Sequence, residues 1–223
     1  MAVDHSMNTL INFFQQLHSS EGLVSLIQAG GLIVLIAIIF AETGLLVGFF
    51  LPGDSLLITA GILSSPHAVG GGLFNPIVLA ICLTLAAISG DQLNFYLGKR
   101  TGRFMINRPD GRLIKKRHFE DAHAFYLRNG GMAIVIARFV PVMRTFVPFI
   151  AGFATMSYSR FILFSIAGGM TWVMGLVSVG YWLGHTQWAS KLHQVILIVV
   201  AVSLMPLVIG FLKAQWQKKQ SRT

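Results

Sequence analysis

Two arginines lie inside a run of residues that is otherwise apolar enough for a lipid bilayer. In residues 137–148, Arg138 and Arg144 stand six positions apart, Pro141 lies between them and Pro148 ends the run. An arginine at the centre of a membrane helix costs about 2.5–3.5 kcal/mol on insertion scales, so both side chains need partners or water. A guanidinium binds phosphate through a planar fork of N–H groups. The pair therefore indicates either direct contact with an anion or structural ion pairs, and the two prolines predict breaks in the helix.

Two carboxylates in an earlier apolar stretch are candidate partners for these arginines. Glu42 and Asp54 flank a break at Pro52-Gly53. Each could be a structural counter-ion or a proton-binding group, because intramembrane charge usually marks function. Asp54 is also suited to capping the helix that follows the break. Asp91 lies near the end of the next apolar span, where a structural role is expected.

The composition places the chain in a membrane. Of its 223 residues, 54% are hydrophobic and 11% are charged, and the mean hydropathy is +0.69. A soluble domain carries about 25% charged residues. Backbone groups in a bilayer must be hydrogen-bonded internally, which favours helices. The sequence therefore predicts an all-α, polytopic membrane protein with a single domain.

The net charge of +9 does not indicate a nucleic-acid partner, because the basic residues are placed as in membrane proteins. Nine of the 17 lie in residues 99–128, and four more lie in residues 213–222. Positive charge concentrates in cytoplasmic loops, so both regions are expected in the cytoplasm.

Enzymatic and metal-dependent functions are not expected. Cys82 is the single cysteine, and the seven histidines show no ligand spacing. No combination of serine, cysteine and histidine resembles a nucleophilic site, and no cofactor is predicted.

The pattern of apolar and charged residues divides the chain into successive segments. These are an interfacial amphipathic helix (1–22), a membrane domain (23–212) and a basic tail (213–223). Within the membrane domain we distinguish a first repeat (23–98), a basic loop (99–131), a second repeat (132–184) and a last transmembrane helix (193–212).

The number of membrane crossings constrains the arginine segment. Because the basic loop and the basic tail both favour the cytoplasm, an even number of crossings must separate them. Two ordinary spans after residue 155 already supply two, so residues 132–155 should re-enter from the cytoplasmic side. The earlier block at 30–63 is longer than one span of about 20 residues and too short for two. It could be a hairpin open to the outside, or one span followed by a half-penetrating helix.

A faint internal repeat agrees with this topology. Residues 57–61 (LITAG) precede a span that ends in Tyr96-Leu97-Gly98, and residues 148–152 (PFIAG) precede one that ends in Trp182-Leu183-Gly184. Each copy is a broken segment plus one crossing, so the second copy is inverted. The predicted fold therefore contains two opposed re-entrant hairpins, an arrangement typical of transporters.

These residues resemble the DedA family of bacterial membrane proteins, which carry the VTT domain. The resemblance covers roughly residues 32–206. Its most specific pieces are Glu42-Thr43-Gly44, Phe50 to Leu57, Gly90-Asp91 with Tyr96 and Gly98, Ala137 to Pro141, and Arg144-Thr145. It implies re-entrant loops, an inner-membrane location and lipid transport, most often of undecaprenyl phosphate. It also implies functional roles for Glu42, Asp54, Asp91, Arg138 and Arg144.

The expected function is transport of a lipid phosphate across the inner membrane, with Arg138 and Arg144 binding the phosphate. Membrane lipids and protons are the expected partners, and the proton gradient is a candidate driving force. Three alternatives stay open: a proton-coupled transporter of a small ion, a general phospholipid scramblase and a non-transporting scaffold. A homo-oligomer is compatible with the sequence, which does not name the lipid, the direction or the side of the N-terminus.

Overall fold

The described part of the chain is helical. A computed structural model describes residues 20–46, 51–68, 71–106 and 131–186. These contain six helices, which we number in chain order: α1 (Ser20–Gly44), α2 (Gly53–Ser64), α3 (Pro76–Ile106), α4 (Met132–Ala137), α5 (Pro141–Phe153) and α6 (Tyr158–Gly184). The predicted interfacial helix, the basic loop beyond residue 106, and the last span and tail lie outside the described residues.

Three of these helices are long and apolar enough to cross a membrane. The spans are Val24–Gly44 in α1, Pro76–Gly102 in α3 and Tyr158–Gly184 in α6. The prediction of an all-helical membrane protein agrees with this architecture.

The apolar block at 30–63 forms one long and one short helix. α1 continues to Gly44 and is kinked at Gly31, whose φ of 58° lies in the left-handed region that glycine tolerates. α2 begins at Gly53, directly after Pro52, and its 12 residues are too few to span a bilayer. Both alternatives for this block stay predictions, because a helix kinked at Gly31 and followed by a short helix fits either of them.

The arginine segment is divided into two short helices. α4 ends at Ala137, and the extended backbone of Val140 precedes Pro141 at the start of α5. Proline is well tolerated at this position, where its missing N–H group would have no helical partner. Pro148, by contrast, lies inside α5, which continues to Phe153.

The chain divides into two compact units, described separately. Unit 1 comprises the described residues of Met1–Leu35, Pro52–Pro76 and Leu176–Thr223, and unit 2 those of Ile36–Leu51 and Ile77–Gly175.

In unit 1, α2 packs against the end of α6 through glycines. A Cβ atom at Gly61 would lie 2.4 Å from the carbonyl oxygen of Val177, and one at Gly180 would lie 2.2 Å from that of Ile58. Ile58, Ile62 and Ala68 form the buried apolar cluster here. The absence of side chains at these glycines lets the two backbones touch.

In unit 2, α5 packs against α3 in the same manner. A Cβ at Gly98 would lie 2.0 Å from the carbonyl oxygen of Phe149, and one at Gly152 would lie 2.0 Å from that of Phe95. Phe95 also stacks on Phe161, with ring centroids 4.2 Å apart. The core of unit 2 thus fixes α5, and with it Arg144, against α3.

Candidate functional site

Four charged side chains are buried together in unit 2. Glu42 is 0% exposed, Asp91 1%, Arg138 3% and Arg144 4%. They come from α1, α3, the α4–α5 turn and α5 respectively. We call these four residues the charge cluster. Its formal charge is zero, as two guanidiniums face two carboxylates.

Arg144 forms an ion pair with Glu42 and contacts an aromatic ring. Nη2 of Arg144 donates to Oε1 of Glu42. The guanidinium carbon also lies 4.8 Å from the centroid of the Trp172 ring. A cation at this distance is attracted by the ring quadrupole, most strongly by that of tryptophan. Arg144 is therefore held between α1 and α6.

Arg138 forms the second ion pair, with Asp91. Nη2 of Arg138 donates to Oδ2 of Asp91, which also accepts a hydrogen bond of 2.6 Å from the Ser165 hydroxyl. Gly168 and Gly169 leave room for the arginine, since a Cβ at Gly168 would lie 3.2 Å from its Cδ and Nε atoms. The side chain therefore lies along a surface of α6 that lacks side chains of its own.

The two ion pairs are electrostatically coupled. The positive charge of Arg144 acts on Arg138 and opposes the attraction from Asp91. Like charges in a low-dielectric interior repel strongly. Asp91 and Glu42 each neutralise one of the two positive charges.

Asn94 fixes the backbone on both sides of the Glu42–Arg144 pair. Its amide group donates to the carbonyl oxygen of Thr43 at 3.0 Å and to that of Thr145. Thr43 follows Glu42 in the chain and Thr145 follows Arg144. One buried amide thus ties together the two backbone segments that carry the ion pair.

Close packing of α1 on α3 completes this framework. A Cβ at Gly90 would lie 2.0 Å from Oγ1 of Thr43 and 2.7 Å from the carbonyl oxygen of Phe40. The Thr43 hydroxyl donates to the carbonyl of Ile39 at 3.0 Å and lies 3.2 Å from that of Ala87. Only glycine at position 90 permits this approach.

The charge cluster retains unused hydrogen-bonding capacity. Within the part of the chain that the structure describes, Arg138 donates only through Nη2, so Nε and Nη1 stay available. Oδ1 of Asp91 and Oδ1 of Asn94 also have no hydrogen-bond partner there. Buried polar atoms normally have partners in protein or water. Such a site is suited to a polar guest.

The sequence-predicted residues fall in different parts of the fold. Glu42, Asp91, Arg138 and Arg144 meet in unit 2. Asp54 lies in the first turn of α2, which belongs to unit 1, where its charge complements the helix N-terminus.

Several residues of the site were not singled out from the sequence. Asn94, Ser165 and Trp172 have ordinary roles in membrane spans, so their types alone carry no signal. Asp91 was expected in a structural role near an interface, yet it is buried against Arg138. Asp91 and Asn94 are three residues apart on α3, so both lie on one face of the helix. This spacing is the sequence signal that could have indicated a shared site.

Comparisons with known proteins identify the family of this chain. Residues 51–182 match the VTT domain, which is more than half of the chain. Protein DedA of Escherichia coli K12 is 35% identical over 208 residues, covering 92% of this chain and 93% of that protein. The chain therefore belongs to the DedA family of VTT-domain membrane proteins.

Other relatives carry names that describe location alone. The uncharacterized membrane protein Rv0364 of Mycobacterium tuberculosis H37Rv is 41% identical over 181 residues, covering 79% of this chain and 76% of the relative. Inner membrane protein YqjA of Escherichia coli K12 is 32% identical over 190 residues, covering 83% and 84%. These relatives are named as membrane proteins and not as enzymes. No solved structure matches the chain.

Proposed function

We propose that this protein moves a lipid phosphate across the bacterial inner membrane, with the charge cluster as its phosphate-binding site. Undecaprenyl phosphate is the lipid that the family resemblance favours. The observation that carries the proposal is the pair of buried guanidiniums, each held by one carboxylate, with Nε and Nη1 of Arg138 available as donors.

The mechanism follows from competition between anions. A phosphate bears three acceptor oxygens and more charge than a carboxylate, so it competes with Asp91 and Glu42 for the arginines. The guest brings negative charge into a neutral cluster. Protonation of one carboxylate would balance a singly charged phosphate and protonation of both a doubly charged phosphate, and this step would link transport to the proton gradient.

The placement of the cluster on broken helices supports a transport role. Arg138 caps the C-terminus of α4, two residues before the extended backbone of Val140 separates α4 from α5. Irregular backbone at membrane depth is tolerated where it is surrounded by protein or lines a watery cavity. We propose that residues 132–155 re-enter the membrane from the cytoplasmic side. The apolar tail of the lipid would stay in the bilayer while the headgroup passes along the cluster.

Complete pairing of the four charges also favours one other function, that of a non-transporting scaffold. In this case the ion pairs only lock α1, α3 and the α4–α5 segment together. A buried pair with satisfied charges has this effect whether or not a ligand binds.

Transport by the purified protein distinguishes these functions. Proteoliposomes would contain a fluorescent polyprenyl phosphate, the matching neutral polyprenol or a fluorescent phosphatidylcholine, and a membrane-impermeant quencher would report the leaflet. We expect accelerated movement of the phosphate lipid only. Equal acceleration of all three lipids would identify a general scramblase. Rates equal to those of empty liposomes, from protein that is folded and correctly inserted, would favour the scaffold.

A further inference from the structure

Two histidines that are far apart in the sequence lie side by side in unit 1. His67 follows the end of α2 and His185 follows the end of α6. Their ring centroids are 4.8 Å apart and the rings are inclined by 52°. Both side chains are exposed. Because 118 positions separate them, no local sequence spacing could reveal the pair.

Close packing of the helix ends brings the two rings together. A Cβ at Gly184 would lie 2.6 Å from the Cβ of Ser65. Ser65 is fully buried, and its hydroxyl oxygen accepts the backbone N–H of His67 at 3.3 Å. The same oxygen lies 3.1 Å from Nδ1 of His185. One buried serine thus positions both histidines.

Nδ1 of His185 lies close to two oxygen atoms, the Ser65 hydroxyl and a backbone carbonyl. Nδ1 lies 2.9 Å from the carbonyl oxygen of Tyr181. A carbonyl oxygen can only accept, so in the tautomer that donates to it from Nδ1 the lone pair is on Nε2. A histidine whose Nδ1–H is held by a backbone carbonyl presents Nε2 as a metal ligand in many proteins.

The surrounding electrostatics favour a cation at this position. α2 ends at Ser64 and α6 ends at Gly184, so two helix C-termini meet at the histidine pair. Each helix C-terminus carries a partial negative charge of roughly half an elementary charge. Both dipoles therefore favour a positive ligand beside His67 and His185.

We propose that His67 and His185 form a binding site for a divalent transition-metal ion such as Zn²⁺ or Cu²⁺. Imidazole nitrogens suit these metals and not Ca²⁺ or Mg²⁺, which take oxygen ligands. Among the described residues, no group of three or more histidine, cysteine or acidic side chains could hold a metal. Water therefore completes the coordination, and the ion links the end of α2 to the end of α6.

The site is independent of the lipid-phosphate proposal. It lies in unit 1, whereas the charge cluster lies in unit 2. The re-entrant path proposed for residues 132–155 would put the end of α6 on the side opposite the basic loop. The site is thus expected to face the periplasm, where metal ions are accessible.

Metal titration of the tag-free protein in detergent tests the proposal. Calorimetry with Zn²⁺ should show one site per chain, and either His67→Ala or His185→Ala should weaken it by about tenfold or more. The control is the double variant His118→Ala with His123→Ala, two histidines of the basic loop, which should bind like the wild type.

Electron paramagnetic resonance with Cu²⁺ supplies a second measurement. Hyperfine coupling to two nitrogens is expected in the wild type, and coupling to fewer in His67→Gln and His185→Gln. Both side chains are exposed, so these variants should keep the wild-type elution profile in gel filtration. Unchanged Zn²⁺ affinity in both single alanine variants would overturn the proposal, as would wild-type protein that binds no Zn²⁺. Loss of binding in the His118/His123 control alone would likewise overturn it by locating the site in the basic loop.

Discussion

At the scale of single residues, the cost of burying charge shapes the site. Arg138 and Arg144 are almost fully buried, and each has a carboxylate partner. Removing one partner of a buried ion pair costs about 3–5 kcal/mol, because the remaining charge stays buried without compensation. The arrangement is stable only while the charges balance, and this makes it responsive to an incoming anion or proton.

This balance predicts the effect of neutralising Glu42. Glu42→Gln keeps the shape of the side chain but leaves Arg144 beside Arg138 without its counter-charge. We expect a loss of about 3–5 kcal/mol in the free energy of unfolding, measured by denaturant titration in detergent micelles. Arg160→Gln is the control, because Arg160 is exposed at the start of α6 and should change stability by less than about 0.5 kcal/mol. Equal stability of the two variants would show that the ion pair does not hold the fold.

The residue types predicted one of the two buried ion pairs. The pairing of Glu42 with an arginine was expected, because an unpaired charge at this depth is too costly, and the structure contains it. Asp91 could not be assigned to Arg138 from the sequence, since its distance from the membrane centre depends on how α3 lies against α6. Asn94 was missed for a related reason: its role comes from two backbone carbonyls, which have no signature in the sequence.

At the scale of helices, glycines decide which elements touch. The short helix α2 meets α6 at Gly61 and Gly180, and the short helix α5 meets α3 at Gly152 and Gly98. α2 and α3 belong to the first sequence repeat, and α5 and α6 belong to the second. The short helix of each repeat therefore packs on the long helix of the other repeat. The two contacts have the same form, and the inverted repeat stays a prediction.

The contact at Gly98 gives a prediction with an internal control. Gly98→Ala would place a methyl group 2.0 Å from the carbonyl oxygen of Phe149, so α3 and α5 must move apart. We expect a destabilisation of about 1–3 kcal/mol, as for other overpacked contacts. Gly175→Ala is the matched control, since a Cβ there meets nothing within 4 Å and alanine favours the helix by about 0.5–1 kcal/mol. Thermal unfolding in detergent would measure both, and Gly98→Ala as stable as Gly175→Ala would contradict the close packing.

Helix boundaries show what proline does and does not predict. Pro52-Gly53 and Pro141 coincide with helix starts, where a missing N–H group costs nothing. Pro148 was also expected to interrupt the helix, but α5 continues through it. Because Pro148 cannot donate to the carbonyl of Arg144, this turn lacks one helical hydrogen bond. Packing of Phe149 and Gly152 on α3 offsets the loss, and packing of this kind is not visible in a local sequence pattern.

At the scale of the whole molecule, composition was sufficient to predict a helical membrane protein. The three long apolar helices and the family relationship agree with that prediction. The path of residues 132–155 through the membrane stays a prediction, because it rests on an even number of crossings between two basic regions. Most of the basic loop, the whole basic tail and the last span lie outside the described residues.

Cysteine labelling tests this path. In a Cys82→Ala background, single cysteines at Asn129 and Ser157 would flank the arginine segment. The re-entrant path predicts that both react with a membrane-impermeant reagent only from the cytoplasmic side. A cysteine between Gly184 and residue 193, after one further crossing, should react only from the periplasm and is the control. Periplasmic labelling of position 129 or 157 would show that the segment crosses the membrane.

The central claim is that the arginines bind phosphate through their planar forks, and Arg144→Lys tests it most directly. Lysine keeps the positive charge that balances Glu42 but loses the bidentate geometry. The measurement is translocation of polyprenyl phosphate by purified Arg144→Lys protein, with Arg160→Lys as the control and thermal unfolding as the check on folding. We predict that Arg144→Lys stays folded but moves the lipid no faster than empty liposomes, while Arg160→Lys matches the wild type. Wild-type translocation by Arg144→Lys would contradict phosphate binding by this arginine and leave it the role of a counter-ion.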